Sequence, residues 1–176
     1  MEELIDVLDE NGNKTGEILT RKQIHEKGLW HKIVAVAIID KDGNILMQQR
    51  SRNRAKNPLK WDISAAGHVS SGQTTIEAAI RETKEEIGID VKEEELKYII
   101  TYKEIVNVEE NYNDRQIYDC FILEKDKIDI SNIKIQESEV EQVKLCNLKE
   151  FEEIVESKNI TNSIIEMYKE IIKYLK

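Results

Sequence analysis

The sequence predicts an α+β fold, a mixed β-sheet between helices. Three observations predict it. Hairpin signatures join short apolar segments in the first third of the chain. Capping-box signatures at Thr20 and Thr74 open helices, each followed by a glycine stop. A helical apolar period runs towards the C-terminus. With 176 residues, residues 1–176 have the length expected of a single domain.

The elements follow in order. Leu4–Leu8 reads as a short strand, and Asp9-Glu-Asn-Gly12 as a turn, because Asn and Gly tolerate positive φ. Thr20 with Gln23 caps a helix over Arg21–Lys27, stopped by Gly28. Lys32–Ile39 is β-branched and apolar, hence a buried strand. Lys41-Asp-Gly-Asn44 turns it, and Ile45–Arg50 returns as its hairpin partner. Ser51–Lys60 is a polar, basic loop, and Trp61–Val69 is extended with small residues. Thr74 with Glu77 opens a helix over Thr75–Ile87, and Gly88 ends it. Its stripe is Ala79, Ile80, Thr83 and Ile87. Tyr98–Val108 and Gln116–Leu123 form a strand pair joined by the polar stretch Glu109–Arg115. Val140–Leu145 is a further strand. Asn147 caps Leu148–Ser157, and from Thr161 onward Ile164, Ile165, Tyr168, Ile171 and Ile172 keep a helical period.

Composition removes several function classes. Hydrophobic residues are 40% and charged residues 35%, too apolar for a disordered chain. Lys plus Arg is 26 against 35 Asp plus Glu, a net charge of −9. General nucleic-acid binding needs a basic face and is not expected. The longest apolar stretch, Ile33–Ile39, is far short of the ~20 residues that span a bilayer. The acidic start MEELIDVLDE is not a signal peptide. Lys169, Lys173 and Lys176 are too few for a membrane anchor, so the last helix reads as a core cover. Cys120 and Cys146 cannot form a disulfide framework. A cytoplasmic protein with no membrane or nucleic-acid partner is expected. Trp30 and Trp61 read as core or pocket wall, where either could stack a nucleobase.

The chemistry sits on Thr75–Ile87. Glu82, Glu85 and Glu86, at spacings i, i+3 and i+4, lie on one helix face. Like charges there repel, so something positive should compensate. Arg81 and Lys84 could do so at a solvated surface. A hard divalent cation could do so at a site, since Mg²⁺ takes carboxylate oxygens and keeps waters for substrate phosphates.

The context favours the site. Gly67-His-Val-Ser-Ser-Gly-Gln73 is followed, after seven residues, by Arg81-Glu-Thr-Lys-Glu-Glu-Ile-Gly-Ile89. Residues 67–89 resemble the Nudix box: Gly, five residues, Glu, seven residues, then Arg-Glu-U-x-Glu-Glu-x-Gly-U, with U bulky aliphatic. Gly67, Arg81, Glu82, Glu85, Glu86, Gly88 and Ile89 match. Gln73 stands for Glu, and Thr83 for the aliphatic residue. The resemblance implies an α/β/α sandwich, with Glu82, Glu85 and Glu86 binding Mg²⁺ or Mn²⁺ and Arg81 steering them through salt bridges. It implies a small-molecule diphosphate as substrate, with a nucleoside as the expected linked moiety. Gln73 touches a supporting contact, and the Thr83 hydroxyl can bond the i−4 carbonyl. Base candidates are Glu85, Glu86, Glu137 and Glu139. Homodimers are common for this fold class; the sequence leaves the oligomeric state open.

From Glu3 to Ile89 the chain resembles the isopentenyl-diphosphate isomerase-like branch. The likeness rests on Gly28-Leu-Trp-His31, Gln49-Arg50-Ser-Arg-Asn-Arg54, Pro58-Leu-Lys-Trp61 and Ala66-Gly-His68. It points to Arg50 and Arg54 as diphosphate clamps, for which the guanidinium fork is suited. In isomerases of that branch a metal sits on three histidines and glutamates. His25, His31 and His68 fall near those places, with His25–His31 one residue short. Surface or hydrogen-bonded roles compete with metal binding for these histidines. The catalytic Cys position is Ala66, and the later glutamate is Gln116. Isomerisation needs an acid and a base, and Ala66 supplies neither. A diphosphate hydrolase is therefore the expected activity. The alternatives are an isomerase and a ligand-sensing domain without catalysis.

Overall fold

The computed structural model describes residues 2–109, 112–161 and 165–176. In chain order the elements are β1 (Leu4–Leu8), β2 (Lys14–Thr20), α1 (Arg21–Glu26), β3 (Trp30–Asp40), β4 (Ile45–Arg50), β5 (Trp61–Asp62), β6 (Ala65–His68), α2 (Thr75–Ile87), β7 (Leu96–Glu109), β8 (Tyr112–Lys125), β9 (Val140–Cys146), α3 (Leu148–Glu156) and α4 (Ile165–Leu175). The apolar run in β3 organises them. A strand buried on both faces needs no polar alternation. Ile33, Ala35, Ala37 and Ile39 face one layer with Phe151 of α3 and Met167, Tyr168 and Ile171 of α4. Val34, Val36 and Ile38 face the other with Ala78, Ala79 and Ile87 of α2. The result is the expected α/β/α sandwich around a mixed sheet. Phe151 is fully buried, so Phe151→Ala is expected to cost about 3–5 kcal/mol, read as a lower urea midpoint.

The sheet is antiparallel except at its centre, where β3 pairs parallel with β8 from Trp30↔Arg115 to Asp40↔Lys125. β3 and β4 pair only at Ile38↔Leu46 and Ile39↔Ile45. Beyond that they diverge around Ser64. Its hydroxyl donates to Leu46 O at 2.5 Å and accepts from Ile38 N at 2.8 Å. The segment Trp61–Val69 therefore splits: β5 pairs β4 and β6 pairs β3. That split opens the sheet into a cleft.

Lys14–Thr20, which the sequence pattern leaves unassigned, is a strand that pairs β1; its residues are largely exposed and include Gly16. The stretch Glu109–Arg115 is mostly strand, because β7 and β8 stay paired to Glu109↔Tyr112. Residues 110–111 of that stretch, and Ile164 of the C-terminal period, lie outside the described residues. Trp61 packs against the core, as one of its two expected roles, and neither it nor the half-buried Trp30 lines the cleft. Cys120 and Cys146 are buried free thiols. No described helix is long and apolar enough to cross a membrane.

Candidate active site

α2 begins and ends as its sequence dictates. Thr74 and Glu77 form a capping box, and Gly88 closes the helix with φ +73°. A Cβ at Gly88 would also meet Lys134 O at 3.0 Å. Thr83 Oγ1 donates to Ala79 O at 2.7 Å, so its buried hydroxyl is satisfied within the helix.

The three glutamates sit differently. Glu85 is exposed, while Glu82 and Glu86 are buried. Glu86 Oε2 accepts from Gln48 Nε2 at 2.7 Å and from Ala66 N at 3.1 Å. Burial, then the neighbouring Glu82, push the Glu86 carboxyl up to about 8. Burial raises Glu82 to about 7 against the pull of Arg81. Arg81 holds the group together. Its Nη1 lies 2.8 Å from Glu82 Oε1 and 3.0 Å from Glu85 Oε2. Its Nη2 donates to His68 O at 2.8 Å, and its Nε to Gln73 Oε1 at 3.3 Å. Gln73 thus keeps a supporting contact despite its departure from the motif. Lys84 turns away to Asp90. A Cβ at Gly67 would lie 2.1 Å from Glu82 Cδ, so only glycine leaves that carboxylate its place.

These groups open into a cleft of about 1020 Å³. Arg21, Arg50, Arg54 and Lys56 line it as well. Arg50 lies 3.5 Å from Asp62 and donates to Lys56 O at 3.2 Å. Arg54 pairs with Glu139. Arg52 is exposed and bonded to Glu141.

A second cluster sits in the same cleft region. His25, His31 and His68 place their ligand atoms within 4.8 Å of one another. A surface role for His31 is overturned, since it is fully buried. His31 Nδ1 lies 2.9 Å from Leu29 O, and its Nε2 is buried with no hydrogen-bond partner among the described residues. His25 Nε2 is 3.0 Å from His68 Nε2, and His25 Nδ1 is 3.1 Å from Asp114 Oδ1. Burial drives His31 down to about 4 and His68 well below its usual value. Burial opposes the Asp114 charge, yet His25, Lys56 and His31 hold its carboxyl down to about 2.

Asp114 and Glu104 escaped the reading by residue type. Asp114 lies in the polar stretch between the two strands that the sequence predicts. Glu104 faces Gln116 across β7 and β8. Its Oε2 is buried without a hydrogen-bond partner among the described residues, and burial, then Asp114, raise it to about 7. Period-2 alternation with Asp114, Gln116 and Tyr118 was the signal available for both.

Comparisons with known proteins identify the family. A model of the NUDIX domain matches residues 29–170. An uncharacterized Nudix hydrolase of Clostridium acetobutylicum is 35% identical over 142 residues, covering 79% of this chain and 67% of that protein. Isopentenyl-diphosphate Delta-isomerase 2 of Photorhabdus laumondii is 28% identical over 148 residues, 84% of this chain and 79% of that protein. The crystal structure of DR0079 from Deinococcus radiodurans matches with a TM-score of 0.70 at 16% identity. It covers 95% of this chain and 98% of that one, and at that identity it speaks for the fold alone. The domain match and the bacterial relative together establish that this chain belongs to the Nudix hydrolase family, whose members act on diphosphate linkages.

Proposed function

We propose that this chain is a Mg²⁺- or Mn²⁺-dependent hydrolase that cleaves a diphosphate linked to a second moiety such as a nucleoside. One observation carries the reading. Two buried carboxylates, Glu82 and Glu86, and the exposed Glu85 face a cleft that four cationic side chains also line. Buried carboxylates with raised affinity for protons are groups that need a cation. The space at Gly67 that a Cβ would fill is taken by the Glu82 carboxylate, so the donor set fits a hard divalent ion held by Glu82, Glu85 and Glu86. When bound, such an ion neutralises charge developing on the diphosphate and lowers the pKa of a bound water.

The protein's own groups divide the remaining work. Arg81 positions Glu82 and Glu85 rather than meeting substrate, since His68 O, Gln73 and both carboxylates take its donors. Glu86 has Oε2 committed to Gln48 and Ala66. Glu85 is the exposed carboxylate and is assigned as acceptor of the proton from the attacking water. Arg50 and Arg54 clamp the phosphates. Ala66 lines the same cleft and its side chain offers no acid or base, which disfavours alkene isomerisation.

The test is Mg²⁺-dependent product release from a panel of nucleoside di- and triphosphates, ADP-ribose, dinucleotides, nucleotide sugars and isopentenyl diphosphate. Turnover of one class supports the hydrolase and names its substrate. Ligand binding without cleavage would replace it with a sensing role. Isomer formation without phosphate release would replace it with an isomerase.

The orphaned His31 Nε2 supports a second site. Burial holds His31 and His68 neutral, with the His25 ring beside them, and neutral imidazoles suit Mn²⁺ or Zn²⁺. Asp114 would complete the set. Metal analysis of protein purified without chelator is expected to find one transition-metal ion per chain, lost in His31→Ala. Equal content in the two proteins would remove this site.

A further inference from the structure

Besides Arg81, four cations line the cleft, and each already has a carboxylate. Arg50 lies 3.5 Å from Asp62, Lys56 3.1 Å from Asp114, and Arg21 3.8 Å from Glu3. Arg54 pairs with Glu139. An entering diphosphate therefore competes with a carboxylate for each of these cations.

The four pairs differ in what else holds the carboxylate. Asp62 is buried and accepts from Ile63 N at 2.8 Å. Asp114 is buried and also held by His25 and Gln116. Glu3 accepts from the Ser70 hydroxyl at 3.2 Å. Glu139 has Arg54 as its side-chain partner and no other among the described residues. Its loop is anchored through the backbone instead. Glu139 N donates to Gln136 O at 2.8 Å, Ser51 N donates to Glu139 O at 2.8 Å, and Gln136 N donates to Glu86 O at 2.9 Å. The carboxylate can swing away while the loop stays. The Arg54 and Glu139 side chains are 22% and 28% exposed, and both line the cleft. An anion can reach the pair.

We propose that Glu139 is an internal competitor that occupies Arg54 in the ligand-free enzyme, yields it to the diphosphate, and takes it back when product leaves. This deepens the diphosphate-hydrolase reading and rests on it. Glu139 is a positioning residue here, since it acts through Arg54 without touching substrate. An internal competitor lowers the affinity of every anion that uses Arg54 by one common factor.

The experiment is calorimetric titration with inorganic pyrophosphate and, separately, inorganic phosphate, in buffer containing Mg²⁺. Glu139→Gln is expected to bind both about three- to tenfold tighter than wild type, by the same factor, as release of one partly exposed ion pair allows. Glu139→Ser carries the same expectation should the first variant fail to melt cooperatively. In an Arg54→Gln background, Glu139→Gln is expected to change neither affinity. Equal or weaker binding in Glu139→Gln would overturn the proposal. So would tightening that persists without Arg54, because that is removal of a negative charge and no more. Tightening alongside a substrate panel that shows no turnover would sink the hydrolase reading and leave the competitor standing.

Discussion

Glu86→Gln is expected to lower turnover by at least about 10²–10³-fold and, at the same time, to make the metal-free protein more stable at pH 8. The two effects have one origin. Glu86 is buried beside Glu82, and its carboxyl titrates near 8 in the fold against 4.5 ordinarily. Between those values the folded chain holds a proton that the unfolded chain has released. Stability then falls as pH rises from about 4.5 to about 8. Glu82 acts in the same direction up to about 7. A neutral amide removes the Glu86 part of that slope, and its oxygen can still accept from Gln48 Nε2 and Ala66 N. The gain at pH 8 is on the order of a few kcal/mol, shared with Glu82 because the two carboxyls are coupled. Thermal melts in EDTA at pH 5 and pH 8 test this. Wild type should lose stability between them, and Glu86→Gln should lose less. Mg²⁺ competes with the proton, so its stabilisation of wild type should be larger at pH 8 than at pH 5. A variant that is inactive and also less stable at pH 8 would mean that Glu86 supports the fold rather than a cation.

This opposition of stability and activity is what a built metal site should show. It also explains which parts of the site were legible beforehand. α2 carries its own start, stop and face in local sequence: Thr74 with Glu77, Gly88, and carboxylates at 82, 85 and 86. Such information lies within one helix and survives without tertiary context. The buried central strand was legible for a similar reason, because Lys32–Ile39 is β-branched and apolar, whereas the sandwich is what the family resemblance implies. β2 was not, since an exposed strand has no apolar alternation to reveal it. The histidine cluster was only half legible. His25 comes from α1, His31 from β3 and His68 from β6, while Asp114 arrives on β8 through the parallel pairing of Trp30 with Arg115. Pairing 85 positions apart is set by the register of the sheet, which no local window contains. The Arg54–Glu139 pair has the same character. Arg54 was visible in a basic loop, but its partner lies on the far side of the cleft in sequence and beside it in space.

Gly67→Ala is expected to remove most of the metal-dependent activity, by about 10²-fold, while leaving the protein folded. The argument is steric. An added Cβ would lie 2.1 Å from Glu82 Cδ and 2.2 Å and 2.4 Å from its oxygens, so the carboxylate must leave its position. Arg81 Nη1, 2.8 Å from Glu82 Oε1, would then lose one of the two carboxylates it aligns. The Mg²⁺ concentration needed for half-maximal rate should rise at least about tenfold. Gly88→Ala provides the contrast. There φ is +73°, and the new Cβ would meet Lys134 backbone at 3.0 Å and 3.3 Å, so the cost falls on the helix end and the loop beyond it. Roughly 1–2 kcal/mol of stability should be lost, with a smaller change in the Mg²⁺ requirement. Urea unfolding and Mg²⁺ titration of both variants separate the two glycines. Gly67 reserves space for a carboxylate, and Gly88 permits a backbone turn. If Gly67→Ala shifted the urea midpoint and left the Mg²⁺ titration unchanged, Glu82 would not be holding the cation.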